Sequence, residues 1–304
     1  MIELKQILCP VDFSEFSRRA LDHALGVARC HGSAVTVLNV VQPAPLVVPL
    51  PYYLGVDTPP PPMSLPPADR AVIVAEIQQL VETEQVPGVK VEPLVAEAPE
   101  VYREILVQAD RLGSDLVVMG THGRSGFERL FLGSTAEKVL RKARCPVMTV
   151  PPKAPGAMAR GPVPFTRILC AVDFSDSSKI ALDYAMSLAQ ESKAALTLAH
   201  IIEIRPLYYD FSPPVAIDLT AWIEEARTRL CQTVPDTVRS SCSVTEVVRE
   251  GTSYREVLAL AAELDADLIV LGVRGRGAVD RFFFGSTTHH VIREARCAVL
   301  TLRS

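Results

Sequence analysis

The 304 residues suit about two domains of ~150 residues each, and a domain of that size buries roughly two thirds of its unfolded surface. With 31 Lys+Arg against 35 Asp+Glu, the chain lacks the clustered basic face that nucleic acid requires. No apolar run approaches the ~18 residues of a membrane helix, and Met1-Ile-Glu-Leu-Lys-Gln has neither the cationic start nor the apolar stretch of a secretion signal. Seven cysteines, an odd number without Cys-x-x-Cys or zinc spacing, read as buried thiols of a reducing cytoplasm. The adjacent His289-His290 points two ways on a helix and makes a poor metal site.

In chain order, Ile7 to Val11 is a short buried strand. Glu15 to Cys30 is helical, because Phe16, Ala20, Ala24 and Ala28 recur every four residues beside Leu21 and Leu25. Ala34 to Val41 is a second strand. Gln42 to Pro67 holds ten prolines, including Pro59-Pro-Pro-Pro62, so it is neither helix nor central strand. Helix follows over Asp69 to Glu84, strand over Val89 to Val95, helix over Val101 to Leu112 and strand over Leu116 to Met119. Ser134 to Ala143 forms a fourth helix and Pro146 to Val150 a fifth strand. Pro151 to Pro164 is a linker by composition.

The order then repeats. Ile7-Leu-Cys-Pro-Val-Asp-Phe-Ser14 matches Ile168-Leu-Cys-Ala-Val-Asp-Phe-Ser175, and Tyr102 to Val150 aligns without a gap on Tyr254 to Leu302. Such self-similarity is the signature of a duplicated unit. The expected domains are 1–151 and 165–304, joined by residues 152–164. Strands alternating with helices imply βαβ units, hence a parallel sheet with helices on both faces. Ligands bind such sheets at the carboxyl ends of the strands, where strand order reverses. That point lies between strands one and four, where Asp12 and Gly120 emerge.

Gly120-Thr-His-Gly123, nine residues, then Gly133-Ser134 follows the fourth strand. Gly272-Val-Arg-Gly275, nine residues, then Gly285-Ser286 repeats it. Phosphate oxygens need N–H donors and close backbone approach, which glycine permits, and a helix start supplies free amides and partial positive charge. Ser134, with Glu137 three residues later, also fits a capping box. Asp12 and Asp173 read either as caps of the first helix or as acceptors for the adenosine end of a nucleotide. Arg124, Arg276, His122 and Arg274 read either as groups that offset phosphate charge or as merely solvated side chains.

This combination resembles the universal stress protein family in its tandem form, and the glycine spacing resembles its ATP-binding branch. The resemblance implies a Rossmann-like, five-stranded α/β fold of order 3-2-1-4-5 in each half. It implies ATP or another adenine nucleotide in the crevice, with magnesium or manganese on the phosphates. The family's adenosine contacts fall on Asp12 and the backbone of Val40, and its phosphate contacts on Gly120, Gly123, Gly133 and Ser134, with Thr135 beside them. The second set is Asp173, Ile201, Gly272, Gly275, Gly285 and Ser286, with Thr287 beside it. No carboxylate identifies itself as a metal ligand. Pro10 becomes Ala171, a small departure on the base side. The resemblance also implies edge-to-edge dimerisation through the fifth strand, which one chain can satisfy internally as a pseudo-dimer, with a homodimer as a further level.

The leading functional expectation is a cytoplasmic ATP-binding, stress-response or regulatory protein without efficient catalysis. The Gly-x4-Gly-Lys-[Ser/Thr] loop is absent, and so is the kinase lysine and catalytic-loop set. Two alternatives stand beside it. One is slow ATP hydrolysis or autophosphorylation, with Ser134, Ser286, Thr135 or Thr287 as acceptors. The other is a protein-binding scaffold using Pro59 to Pro62 with Tyr52-Tyr53 in polyproline geometry.

Overall fold

The first strand, β1 (Gln6–Pro10), is buried on both sides through Ile7, Leu8 and Cys9. The computed structural model describes residues 2–43, 64–84, 87–122, 132–154, 165–203, 219–273 and 285–303. Helix α1 (Glu15–His31) follows. Ser14 caps it, accepting from the Ser17 amide, and Gly32 ends it at φ 66° with its N–H on the Ala28 carbonyl. Ala20, Leu21, Ala24, Leu25 and Ala28, the apolar face that helical spacing predicts, are buried, and so are Asp22, His23, Gly26 and Val27 between them. The first half continues as β2 (Ala34–Val41), α2 (Pro67–Glu84), β3 (Lys90–Glu97), α3 (Val101–Leu112), β4 (Leu116–Gly120), α4 (Ser134–Lys142) and β5 (Val147–Val150). Pro67 is the first helical residue of α2, the position where a missing N–H costs nothing.

The second half repeats the order: β6 (Arg167–Ala171), α5 (Asp176–Ser192), β7 (Ala195–Ile202), α6 (Thr220–Thr233), α7 (Asp236–Arg239), β8 (Val244–Glu250), α8 (Ser253–Glu263), β9 (Leu268–Gly272), α9 (Ser286–Glu294) and β10 (Ala298–Leu302). The single turn α7 has no counterpart in the sequence reading, because four residues are too few to show a period.

All ten strands form one sheet of order β3-β2-β1-β4-β5-β10-β9-β6-β7-β8. Each half therefore has the order 3-2-1-4-5. Within each half the pairing is parallel, with Ile7 beside Val35 and Leu116. The halves join antiparallel, with Met148 opposite Leu300 and Thr149 opposite Val299. Thr149 Oγ1 donates to the Val299 carbonyl (3.3 Å) and Thr301 Oγ1 to the Val147 carbonyl (3.0 Å). The two fifth strands thus pair edge to edge within one chain.

Two apolar layers cover the sheet. One packs Ile7, Cys9 and Val118 under Leu21, Leu25, Ile77, Leu182 and Leu230. The other packs Leu8 and Val117 under Ile105, Val139, Leu260 and Val291. Strand alternation sends neighbours to opposite faces, and each layer runs across both halves. Among the described residues, no helix is long and apolar enough to cross a membrane.

Candidate functional site

The site is built where β1 and β4 part. The β1–β2 ladder ends at Pro10 beside Leu38, and the Val11 N–H still donates to the Leu38 carbonyl (2.8 Å). The Val41 carbonyl turns the other way, accepting from Ala98 (3.0 Å) after β3. Along an extended strand the carbonyls alternate, so Val40, like Leu38, directs its backbone polar groups to the β1 side, beyond the end of β1. In the second half Val172 donates to Ala199 (2.8 Å) and Gly251 donates to Ile202 (3.1 Å). Ile201 therefore faces the gap beyond β6.

Asp12 follows immediately. Its Oδ1 accepts from the Ser14 amide (3.1 Å) and hydroxyl (2.6 Å), and its own N–H donates to Ser17 Oγ (3.3 Å). Asp173 Oδ1 accepts from the Ser175 amide (3.0 Å) and hydroxyl (2.6 Å). The carboxylate is not the helix cap. Ser14 and Ser175 hold that position, because one more residue must turn before the helix begins. That residue is Phe13 at φ 63° and Phe174 at φ 62°. A bulky residue in the left-handed region is a genuine outlier, found identically in both halves.

On the β4 side, Thr121 N–H donates to the Val150 carbonyl (3.2 Å), and Gly133 N–H returns to the Thr121 carbonyl (2.8 Å). This bond brings the start of α4 back to the end of β4. Gly285 N–H closes the second loop on Val273 (3.2 Å). A Cβ on Gly133 would lie 3.0 Å from the Thr121 carbonyl oxygen, and one on Gly285 would lie 3.2 Å from that of Val273. Gly120 and Gly272 face elsewhere. Their Cβ positions meet the first turn of the first helix, at 3.1 Å from the Phe16 oxygen and 2.7 Å from the Ser177 carbonyl carbon. These two glycines let helix one cross the end of strand four.

The capping-box expectation at Ser134 is overturned. Gly133 is the N-cap of α4 and Gly285 that of α9, neither with a side-chain cap bond, so Ser134 and Ser286 are the first helical residues. A glycine cap has no oxygen to offer the first-turn amides. The amides of Ser134, Thr135 and Ala136, and of Ser286, Thr287 and Thr288, therefore face the loop mouth without a side-chain cap from that position. Ser134 and Ser286 are exposed, and Thr135 and Thr287 half-buried. Thr288 Oγ1 donates to the Gly272 carbonyl (3.0 Å), where the first half has Ala136. Burial, with Arg293 next, pushes the His289 imidazole down, so it is neutral at pH 7.

The halves differ at the mouth. Phe16 and His122 form a tilted ring pair 5.8 Å apart, and His122 Nδ1 lies 2.9 Å from Thr121 Oγ1. The position of Phe16 is taken by Ser177. Gly123, Gly275, Arg124, Arg274 and Arg276 lie outside the described residues, as do Pro59 to Pro62 and Tyr52-Tyr53. Among the described residues, no group of three or more His, Cys, Asp or Glu is placed to hold a metal ion.

Sequence reasoning missed Asn39 and His200. Asn39 Nδ2 donates to the Val11 carbonyl (2.9 Å), and His200 Nδ1 meets the Val172 carbonyl (2.7 Å). Their signal was a polar residue near the carboxyl end of a mostly apolar strand, at the same repeat position twice.

The model of the universal stress protein family matches residues 3–151 and again 164–303. The chain belongs to the universal stress protein family. Universal stress protein A homolog 1 of Coxiella burnetii is 34% identical over 144 residues, covering 45% of this chain and 96% of that protein. The crystal structure of a universal stress protein from Archaeoglobus fulgidus matches 99% of both chains at TM-score 0.68 and 24% identity, a likeness of fold across both halves. A universal stress protein solved in complex with cAMP matches 49% of this chain and 98% of its own at 19% identity and TM-score 0.36; its ligand is a property of that protein.

Proposed function

We propose that this universal stress protein is an adenine-nucleotide-binding regulator with one site per half. One observation carries the reading. In both halves, a glycine-capped helix start is folded back onto the strand-four end by a Gly–carbonyl hydrogen bond (2.8 Å at Gly133, 3.2 Å at Gly285). The carboxylate of Asp12 or Asp173 follows the neighbouring strand, β1 or β6. First-turn amides and the helix dipole suit phosphate. The carboxylate repels phosphate and suits the adenosine end. The backbone of Val40 or Ile201 then serves as the base-side edge. Gly120 and Gly272 shape the crevice by admitting the first helix, and Gly123 and Gly275 complete the phosphate loop on this reading. On this reading magnesium or manganese arrives on the phosphates. The absence of a P-loop lysine favours binding and release over rapid turnover.

Calorimetric titration with ATP and magnesium tests this. The native chain is expected to take two nucleotides. Gly133→Ala and Gly285→Ala should each leave one, because the added methyl presses on the carbonyl that closes the loop. Two nucleotides in both variants, or none in the native protein at millimolar ATP, overturns the assignment. Rapid metal-dependent phosphate release would favour the ATPase reading instead.

A further inference from the structure

The carbonyl just before each site aspartate is held by a side chain from the second strand. Val11 has left the regular β1–β2 ladder, yet its carbonyl accepts from Asn39 Nδ2 at 2.9 Å. In the second half, the Val172 carbonyl is 2.7 Å from His200 Nδ1. A carbonyl oxygen only accepts, so this imidazole carries its hydrogen on Nδ1. Asn39 is only 9% exposed, so its amide is committed to the fold. A carboxamide and an imidazole thus make one bond at one repeat position. The bond, not the residue type, is common to the halves.

The turn beyond that bond needs holding. Phe13 and Phe174 sit at φ 63° and 62°, a conformation that persists only where its surroundings over-determine it. On the helix side it is pinned by the Ser14 and Ser175 bonds to the aspartates. On the strand side, Asn39 and His200 fix the peptide from which each aspartate starts. His200 is further packed on Phe174, with ring centroids 4.7 Å apart, so in the second half the clamp also touches the strained residue.

We propose that Asn39 and His200 are positioning residues for the nucleotide sites. Each orients its aspartate toward the adenosine through the strand-end carbonyl, without touching the ligand. This rests on the adenine-nucleotide reading above. It also assigns the exchange each half tolerates: histidine for asparagine in the first, asparagine for histidine in the second.

The test is two-site titration calorimetry of the full chain with ATP and magnesium, beside thermal unfolding of each variant. Asn39→Ala should weaken the first site by about tenfold, the scale of one lost hydrogen bond, and leave the second unchanged. His200→Ala should do the converse. Asn39→His and His200→Asn should restore native affinity at their own sites. A purely structural bond would lower the melting temperature of the alanine variants while affinity stayed native below the transition; that result overturns the proposal. If Asn39→Ala does not fold, Asn39→His decides alone, since a folded variant with a weakened first site also overturns it. A native protein that binds no adenine nucleotide removes the parent reading and this one together. Native binding with unaffected alanine variants removes this one only.

Discussion

Gly32 and Lys193 occupy the same place at the end of the first helix of each half. Both are left-handed, at φ 66° and 53°. Glycine reaches that region freely, whereas a side chain pays for it. Lys193→Gly should therefore stabilise the protein by about 1 kcal/mol, and Gly32→Lys should cost a similar amount. Urea unfolding of the two variants checks this, and a Lys193→Gly variant less stable than the native chain refutes it. The same residue-by-residue comparison explains what the sequence hid at the site. The glycine pattern was visible, but not that Gly120 and Gly272 face a helix while Gly133 and Gly285 face their own loop. Spacing gives order along the chain and says nothing about which neighbour a missing Cβ admits. Phe13 and Phe174 were illegible for a related reason: phenylalanine carries no preference for the left-handed region that tertiary contacts impose on it.

At the scale of elements, strand and helix order was legible because buried parallel strands and amphipathic helices have distinct periods. Boundaries moved by one or two residues, as β3 did in running on to Glu97. Sheet order followed from the resemblance, not from periodicity. One device escaped notice altogether. Asp267, 5% exposed, sits just before β9 and ties it to the start of β6. Its carboxylate accepts from the Thr166 amide (2.8 Å), the Thr166 hydroxyl (2.7 Å) and the Arg167 amide (3.1 Å). Asp115 does the same for the Lys5 and Gln6 amides (2.8 and 2.9 Å). In the sequence, each merely preceded an apolar run. Asp267→Ala should cost about 1 kcal/mol, because it removes the acceptor from three part-buried donors, and Asp267→Asn should recover part of that. Denaturant midpoints at fixed pH measure both, and an Asp267→Ala midpoint equal to the native one would show that these bonds contribute nothing net.

At the scale of the molecule, the fifth strands are consumed in the seam, and the outer edges β3 and β8 carry charges and, in β3, Pro93, features that discourage edge pairing. The seam itself is not wholly apolar. His31 Nδ1, at the end of α1, lies 2.6 Å from Glu191 Oε2 on α5, with side chains 5% and 17% exposed. Glu191 Oε1 accepts from Ser187 Oγ (3.1 Å), and Ser187 Oγ accepts from the Ile2 amide (2.9 Å). Burial pushes the His31 imidazole down, and the Glu191 carboxylate opposes it without prevailing. Burial therefore favours the neutral imidazole in this close contact at pH 7. The neighbouring groups are Arg29 and Cys30 on its own helix, and burial raises the Cys30 thiol. In the unfolded chain His31 takes up a proton near its ordinary value of about 6.5. In the folded chain it does so only at lower pH. Below that ordinary value the unfolded state binds more protons, so stability falls as pH falls from about 6.5 toward the folded value. His31→Gln keeps a donor and removes the titration. Unfolding free energies from pH 7.5 to 5 should then decline less steeply in the variant, with the two curves converging in shape above pH 7. His289 shifts in the same direction but is present in both proteins and cancels. Parallel curves across the whole range would mean that His31 titrates alike in both states, and that the link between the halves at this point is open to water.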